Sequence, residues 1–447
     1  MQLPQAYIQQ MKQQLPPEHF QAFIESYQKP RQQALRINPL KVSEPEQLRL
    51  LKQTFHLEPV SWCDTGYYYE DAKPGKHPWH AAGVYYIQEP SAMSSAELLD
   101  PQPGETVLDL AAAPGGKTTQ IAAKMKGSGL LVANEIHPGR ARILSENVER
   151  FGIVNAIVTS STPQALAEAF PQHFDRIMLD APCSGEGMFR KDPEAVGEWS
   201  EDHVRMCAQR QLDILPSAAL MLKPGGTLVY STCTFNRSEN EEVIAAFLEQ
   251  HDDFECTRTE RIWPHLQRGE GHFVAVLKRH SYDHEDKTRH MKSKKKGRHL
   301  KAPKEAALLT KQFCQEVLPR WAVPEGELFL LGEQVYNIPL HEGLPFDLSK
   351  LDRIKTLRFG LHMGTIKKQR FDPSHALALA VPRYSDSTSY VKLDSDSSEC
   401  AAYLRGETLP NSGKGWTLVS ADAYPIGWGK SSGGILKNHY PKGLRWM

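Results

Sequence analysis

The chain has no CxxC pair, and its histidines do not cluster at ligand spacings, so a structural zinc site or other metal centre is not expected. Its seven cysteines, an odd number scattered from Cys63 to Cys400, read as reduced thiols rather than a disulfide framework. GxGxxG is absent, which argues against a dinucleotide site. There is no apolar run long enough to span a bilayer, and the opening MQLPQAYIQQMKQQLPPEHF lacks the apolar core of a signal peptide. A cytoplasmic protein without membrane association is the expectation. An excess of one charge is missing too: 53 Lys and Arg stand against 53 Asp and Glu. The average therefore neither favours nor opposes a nucleic-acid partner, and the distribution of charge must decide.

With 447 residues, more than one domain is expected. Residues 1–85 start with helical spacing (Tyr7, Met11, Leu15; Phe20, Phe23, Tyr27) and continue in short alternating pieces. From 86 to 280 the pattern becomes repeated strand–helix units. TVLDL, GLLVANE, NAIVTS, RIMLD, GTLVYST and HFVAVLK read as strands, with helices over 140–151, 204–222 and 239–250 between them. This alternation predicts an α/β fold, a doubly wound and mainly parallel Rossmann-like sheet. Ligands on such sheets sit at the carboxyl ends of the strands. Residues 281–304 are rich in Lys and Arg and almost free of apolar side chains, a basic linker. The remainder reads as α+β, divided into 305–385 and 386–447.

The most informative stretch is VLDLAAAPGGKTTQIAAKM, Val107 to Met125: strand, tight loop, helix. Gly116-Lys117-Thr118 imitates a phosphate-binding loop, and Asp180 at the end of RIMLD could pass for a magnesium-binding acid. Two residues oppose a P-loop ATPase. Pro114 removes an N–H from a cradle whose task is to supply N–H groups, and Ala111 stands where Gly would let the chain wrap a phosphate. A nucleoside carrying a sulfonium, S-adenosylmethionine, suits the stretch better. Its methionine portion can lie against the small-residue loop Ala111, Ala112, Ala113, Pro114, Gly115, Gly116 and Lys117. Glu135, just after the next strand, can accept both ribose hydroxyls, where it would repel a phosphate.

Two more strand ends bear on the reaction. DRIMLDAPCSGEGMFRKDP puts Asp180 and Cys183 at one, and GTLVYSTCTFNRSENEEV puts Cys233 at another. Either cysteine alone would more often be a small buried hydrophobe; both at ligand-facing positions of one sheet point to chemistry. Methylating carbon 5 of a pyrimidine needs such a group. A thiolate adds to C6, C5 becomes enamine-like and takes the methyl, and a base removes the C5 proton to expel the thiolate. A nearby carboxyl can hydrogen-bond the cytosine N3/N4 edge.

DLAAAPGGKTTQIA, DAPCSGEGMFRKDP and YSTCTFNRSENEEVI resemble the signature motifs of the RNA cytosine-C5 methyltransferases, the family of RsmB, RsmF and the NSUN proteins. ALRINPLK, YYIQEPSAM, LHMGTIKKQRFDPSHALALA and GILKNHYPKGLR fit its RsmF branch, so the resemblance covers nearly the whole chain. It implies a monomeric S-adenosylmethionine-dependent enzyme acting on ribosomal RNA, 16S RNA within the small subunit. The flanking N- and C-terminal domains would bind RNA, the last being PUA-like. It also implies Cys233 as nucleophile, Cys183 as the residue assisting release, Lys117 and Asp180 between cofactor and base, Glu135 on the ribose and Arg140 near the cofactor. One departure stands out: VTSSTPQAL offers Ser160, Ser161 and Thr162 where many relatives carry an acid that reads the adenine.

A target cytosine must be unstacked before C6 can be attacked. Phe189, Arg190 and Lys191 are candidates for stacking and phosphate contact. In the tail Trp428, Lys430, Lys437, Asn438, His439, Tyr440, Lys442, Arg445 and Trp446 mix aromatics with bases, as RNA-binding surfaces do. A non-catalytic RNA-binding assembly factor is the competing class, and four intact reactive side chains (Lys117, Asp180, Cys183, Cys233) count against it.

Overall fold

The computed structural model describes residues 2–70, 72–281, 300–339 and 346–447. Most of the basic linker expected over 281–304 lies outside the described residues. At the centre is an eight-stranded sheet: β1 (Thr106–Asp109), β2 (Leu130–Asn134), β3 (Ala156–Thr159), β4 (Phe174–Asp180), β5 (Leu222–Thr232), β6 (Phe254–Ile262), β7 (His272–Arg279) and β8 (Thr356–Phe359). Their spatial order is β6-β7-β5-β4-β1-β2-β3-β8. The five strands from β5 to β3 are parallel, and β6, β7 and β8 run antiparallel to their neighbours. Crossovers run through α1 (Gly116–Met125), α2 (Pro138–Arg150), α3 (Pro163–Ala169), α4 (Glu201–Met221) and α5 (Glu241–Gln250). β1, β2 and β3 are buried at every position, as unbroken apolar strands must be when helices cover both faces of a parallel sheet. The chain order reverses between β1 and β4, so ligands are expected above their carboxyl ends.

Two strands were not read from the sequence. FECTRTERI, the antiparallel partner β6 of β7, has little apolar content. β8 comes from within 305–385 yet extends the catalytic sheet, pairing Phe359 with Ile157 and Arg358 with Val158.

On the amino-terminal side, helices Gln5–Gln14 and Pro17–Ser26 bury Tyr7, Met11 and Phe23 as their spacing predicted. A four-stranded sheet follows, ordered 58–60, 63–68, 34–37, 85–87, so its last strand reaches Ile87. The carboxyl-terminal part holds two five-stranded sheets, one built on the hairpin Glu327–Leu331/Gln334–Ile338 and one on Gly415–Ala421/Tyr424–Ser432.

Several aromatic and basic side chains read as RNA contacts are packed inward. Phe189 is fully buried with Tyr7, Phe23, Trp199 and Phe235, so it cannot stack on a base. Arg190 is an internal tie: its Nε donates to Glu270 at 2.6 Å and its other nitrogens to the carbonyls of Ser26 and Gly269. Tyr440 is buried against His375 and Tyr403, and Trp428 donates to the Ser374 carbonyl from inside the core. Arg445 lies against the Gly406 turn, where a Cβ would meet its Nε at 2.2 Å. Composition counts aromatics and bases together; it does not say which face of a strand they occupy. Lys191, Lys430, Lys437 and Lys442 are exposed.

Candidate active site

The loop after β1 enters α1 through Gly115, whose φ of 115° lies in the left-handed region where a Cβ is strained. A Cβ there would also press on Leu144 at 3.3 Å, and one on Gly116 would meet the Gln88 amide at 3.3 Å. Glycine is thus required by backbone shape and by close approach. The loop is held from three sides. Ala112 N–H donates to the Asn134 carbonyl (2.8 Å), Arg140 donates to the Ala113 carbonyl (2.7 Å), and Arg36 donates to the Gly116 carbonyl (3.0 Å) and to Thr119. Arg36 belongs to ALRINPL, the strand 34–37 of the amino-terminal sheet, so that domain braces the start of α1 directly.

Glu135 follows β2 and is buried. One carboxylate oxygen accepts the His137 N–H at 3.0 Å, and the other has, among the described residues, only the Arg140 guanidinium at 3.5 Å. Asp109 at the end of β1 is wholly buried. Its Oδ2 accepts from Thr118 at 2.6 Å, its Oδ1 has no partner among the described residues, and burial pushes its carboxyl up to about 7. A small-residue loop bordered by these acceptors fits a ligand with hydroxyl and ammonium donors, as S-adenosylmethionine has. After β3, the Ser160 hydroxyl turns to the Ile136 carbonyl and Thr162 caps α3 by accepting the Ala165 N–H. The Ser161 hydroxyl makes no hydrogen bond among the described residues.

Across the switch point, Lys117 Nζ lies 2.8 Å from Asp180 Oδ2. Burial alone would raise the Asp180 carboxyl, but the Lys117 charge joined by the hydrogen bonds from Lys117 and Ser231 holds it below its ordinary range; burial alone would lower Lys117, and Asp180 raises it. Ser231, level with Asp180 on β5, donates to Asp180 Oδ1 at 2.8 Å. Cys183 and Cys233 emerge from the loops after β4 and β5 with their sulfurs 3.4 Å apart and unbonded. The contact with Cys233, and then burial, push the Cys183 thiol up. The structure therefore brings Lys117, Asp180, Cys183 and Cys233 together at one strand-end crevice, beside the 111–117 loop.

Sequence reasoning missed His272. It is buried at the start of β7, its Nε2 3.9 Å from Asp180 Oδ1. Burial, and then the Lys117 charge, push it down to about 3, so it stands as a neutral imidazole behind the Lys–Asp pair. Also missed were Glu186 and Glu239, two buried carboxylates beside the cysteine loops. Each lay inside a quoted motif, but nothing in spacing distinguishes a buried Glu from a surface one.

Family models match the chain in four consecutive parts. Residues 3–90 match the N-terminal domain of 16S rRNA methyltransferase RsmF, and 96–278 match 16S rRNA methyltransferase RsmB/F. Residues 312–381 match the RsmF rRNA methyltransferase first C-terminal domain, and 390–446 the methyltransferase RsmF PUA domain. Ribosomal RNA small subunit methyltransferase F of Aliivibrio fischeri (strain MJ11) is 33% identical over 473 aligned positions, covering 99% of this chain and 97% of that protein. Among solved structures, a methyltransferase homolog protein from Pyrococcus horikoshii is 32% identical with a TM-score of 0.54, covering 60% of this chain and 92% of its own. NSun6 from Pyrococcus horikoshii, solved with SFG, shares the fold: its TM-score is 0.55 at 20% identity, over 62% of this chain and 98% of its own.

Proposed function

The chain belongs to the RsmF branch of the RsmB/F 16S rRNA methyltransferases, and from that premise we propose that it methylates carbon 5 of a cytidine in small-subunit ribosomal RNA through a covalent bond from Cys233 to C6. The observation that carries this reading is the pair of unbonded sulfurs 3.4 Å apart, beside the Lys117–Asp180 ion pair and at the same strand ends as the cofactor loop.

The 111–117 loop, Glu135 and Arg140 would hold S-adenosylmethionine, with Glu135 accepting from the ribose and Ser161 the hydroxyl available to the adenine. When bound, the cofactor supplies the methyl group. Asp180 accepts from the N4 amino edge of cytosine, and Lys117 keeps that carboxylate ionised. The Cys233 thiolate adds to C6, and the electrons of the C5–C6 double bond move to C5, where the methyl is accepted. A base then takes the C5 proton, the C5–C6 double bond re-forms, and the C6–S bond breaks to return the thiolate.

Cys183 is suited to assist that last step. The largest influence raising its thiol is the neighbouring Cys233 sulfur, and that influence is lost once Cys233 is a thioether. Substrate RNA would reach the crevice past Lys191, with Lys430, Lys437 and Lys442 of the last domain as further phosphate contacts. Catalysis in the cytoplasm by a metal-free monomer completes the proposal.

Incubation with tritiated S-adenosylmethionine and unmodified 30S subunits tests it. Label in 5-methylcytosine is the expected result. RNA binding without label would identify a non-catalytic assembly factor instead.

A further inference from the structure

Two buried glutamates tie the cysteine loops to each other crosswise. Glu186 sits in the loop of Cys183. Its Oε2 accepts the N–H of Phe235, two residues past Cys233, at 2.9 Å, and its Oε1 accepts from Trp199 Nε1 at 3.0 Å. Glu239 follows the loop of Cys233. It accepts the N–H of Ser184, the residue after Cys183, at 2.9 Å, as well as the Ser184 hydroxyl and the Gln211 amide at 3.1 Å. Two further bonds join the loops, Ser184 Oγ to Thr234 Oγ1 at 2.9 Å and Gly187 N–H to the Cys233 carbonyl at 2.8 Å. The approach is so close that a Cβ on Gly187 would lie 2.9 Å from that carbonyl oxygen.

Burying two carboxylates is costly, and both are pushed up from their ordinary range by it. Generic packing does not call for them, because apolar side chains would fill the same space at lower cost. What they supply is a fixed distance between two sulfurs that must face adjacent atoms, C6 and C5, of one ring. Displacements of this kind, even at about 1 Å, cost on the order of 100-fold in rate.

We propose that Glu186 and Glu239 are positioning residues for the covalent step, each carried by one cysteine loop and fixing the other, with Glu239 governing release through Cys183 and Glu186 governing attack through Cys233. This rests on the function proposed above and assigns separate halves of its reaction to the two carboxylates.

The test uses the full chain with unmodified 30S subunits, following labelled product and protein–RNA adduct on denaturing gels. Cys183→Ala serves as the adduct standard. Glu239→Gln is expected to accumulate adduct at least tenfold above wild type while Cys233 still attacks. Ser184→Ala, which keeps every carboxylate, is expected to do the same to a smaller degree and carries the test should Glu239→Gln fail to fold. Glu186→Gln is expected to slow product formation at least tenfold without accumulating adduct. The proposal is overturned if Glu239→Gln, or Ser184→Ala in its place, releases product without adduct. It is equally overturned if the glutamine variants lose activity in step with their thermal midpoints, adduct fraction unchanged. A wild-type chain that transfers no methyl group would refute the function itself; methylation by wild type with unaltered variants refutes only the crossed clamp.

Discussion

At the residue scale the proposed function divides the work among four groups by their chemistry. Cys233→Ala is expected to abolish both methyl transfer and adduct formation. Cys183→Ala should instead trap an adduct that survives denaturing gels, since attack is retained and release is lost. Methylation by Cys233→Ala would refute the assignment. Glu135 offers a buried carboxylate whose second oxygen has, among the described residues, only a long contact to Arg140, so most of its hydrogen-bonding capacity is open to a ribose. Glu135→Ala is therefore expected to raise the Kd for S-adenosylmethionine by 10- to 100-fold, about 1.4–2.7 kcal/mol, in a calorimetric titration. RNA affinity should change little. Glu239 adds a pH signature. Burial pushes it up to about 7, so between its ordinary range near 4.5 and pH 7 the folded chain binds more protons than the unfolded one. Its contribution to stability is present at low pH and falls as pH rises through 7. Denaturant unfolding of Glu239→Gln across pH 4.5–7.5 should show a shallower decline than wild type; an unchanged slope would show that the carboxyl is not titrating there.

Elements set where those groups stand. The 111–117 loop, Glu135 and both cysteines follow the carboxyl ends of parallel strands, with Asp180 closing one of them, and this placement was legible, because apolar runs and their terminating acids are local features. Register was not. β7 pairs Phe273 with Thr232, which brings the start of β7 beside the cysteine loop; its approach uses Gly271 at φ 134°. A Cβ at Gly271 would lie 2.2 Å from the Phe235 ring, so the residue answers to both backbone shape and space. Gly271→Ala is expected to cost about 1–3 kcal/mol in chemical denaturation and to displace the Cys233 loop, lowering kcat more than it raises KM. Wild-type stability and turnover would show that the loop tolerates the shift.

For the whole molecule, the telling contact is between parts far apart in sequence. β8 closes the β3 edge, and the Lys355 carbonyl accepts the Ser160 N–H at 2.7 Å, so the loop after β3 is shaped by a segment almost 200 residues downstream. Glu149 on α2 meets Arg358 and His375 there. Burial would raise Glu149, but the His375 hydrogen bond and the Arg358 charge bring it down to about 2. The folded state then binds fewer protons than the unfolded one between pH 2 and about 4.5. Stability on the order of 3 kcal/mol is present above that window and is lost as pH falls through it. Truncation after residue 281 removes the edge strand and both partners of Glu149. The shortened chain is expected to melt lower, to bind S-adenosylmethionine more weakly and to associate through the exposed β3 edge, measurable by calorimetry and light scattering. A monodisperse fragment with full cofactor affinity would contradict this.

The sequence by itself determined the strand–loop–helix order, the small-residue cofactor loop, the acid after β2 and the two cysteines after β4 and β5. These are carried by spacing along a few consecutive residues, and the chemistry they specify does not depend on what packs outside them. Tertiary structure alone decided that Phe189, Arg190 and Tyr440 face inward, that His272 backs Asp180, that two glutamates cross between the cysteine loops, and that a late strand completes the sheet. The physical reason is common to all four. Which face of an element meets another, and in what register, is fixed by pairing and burial between distant segments, and local periodicity carries no record of that choice.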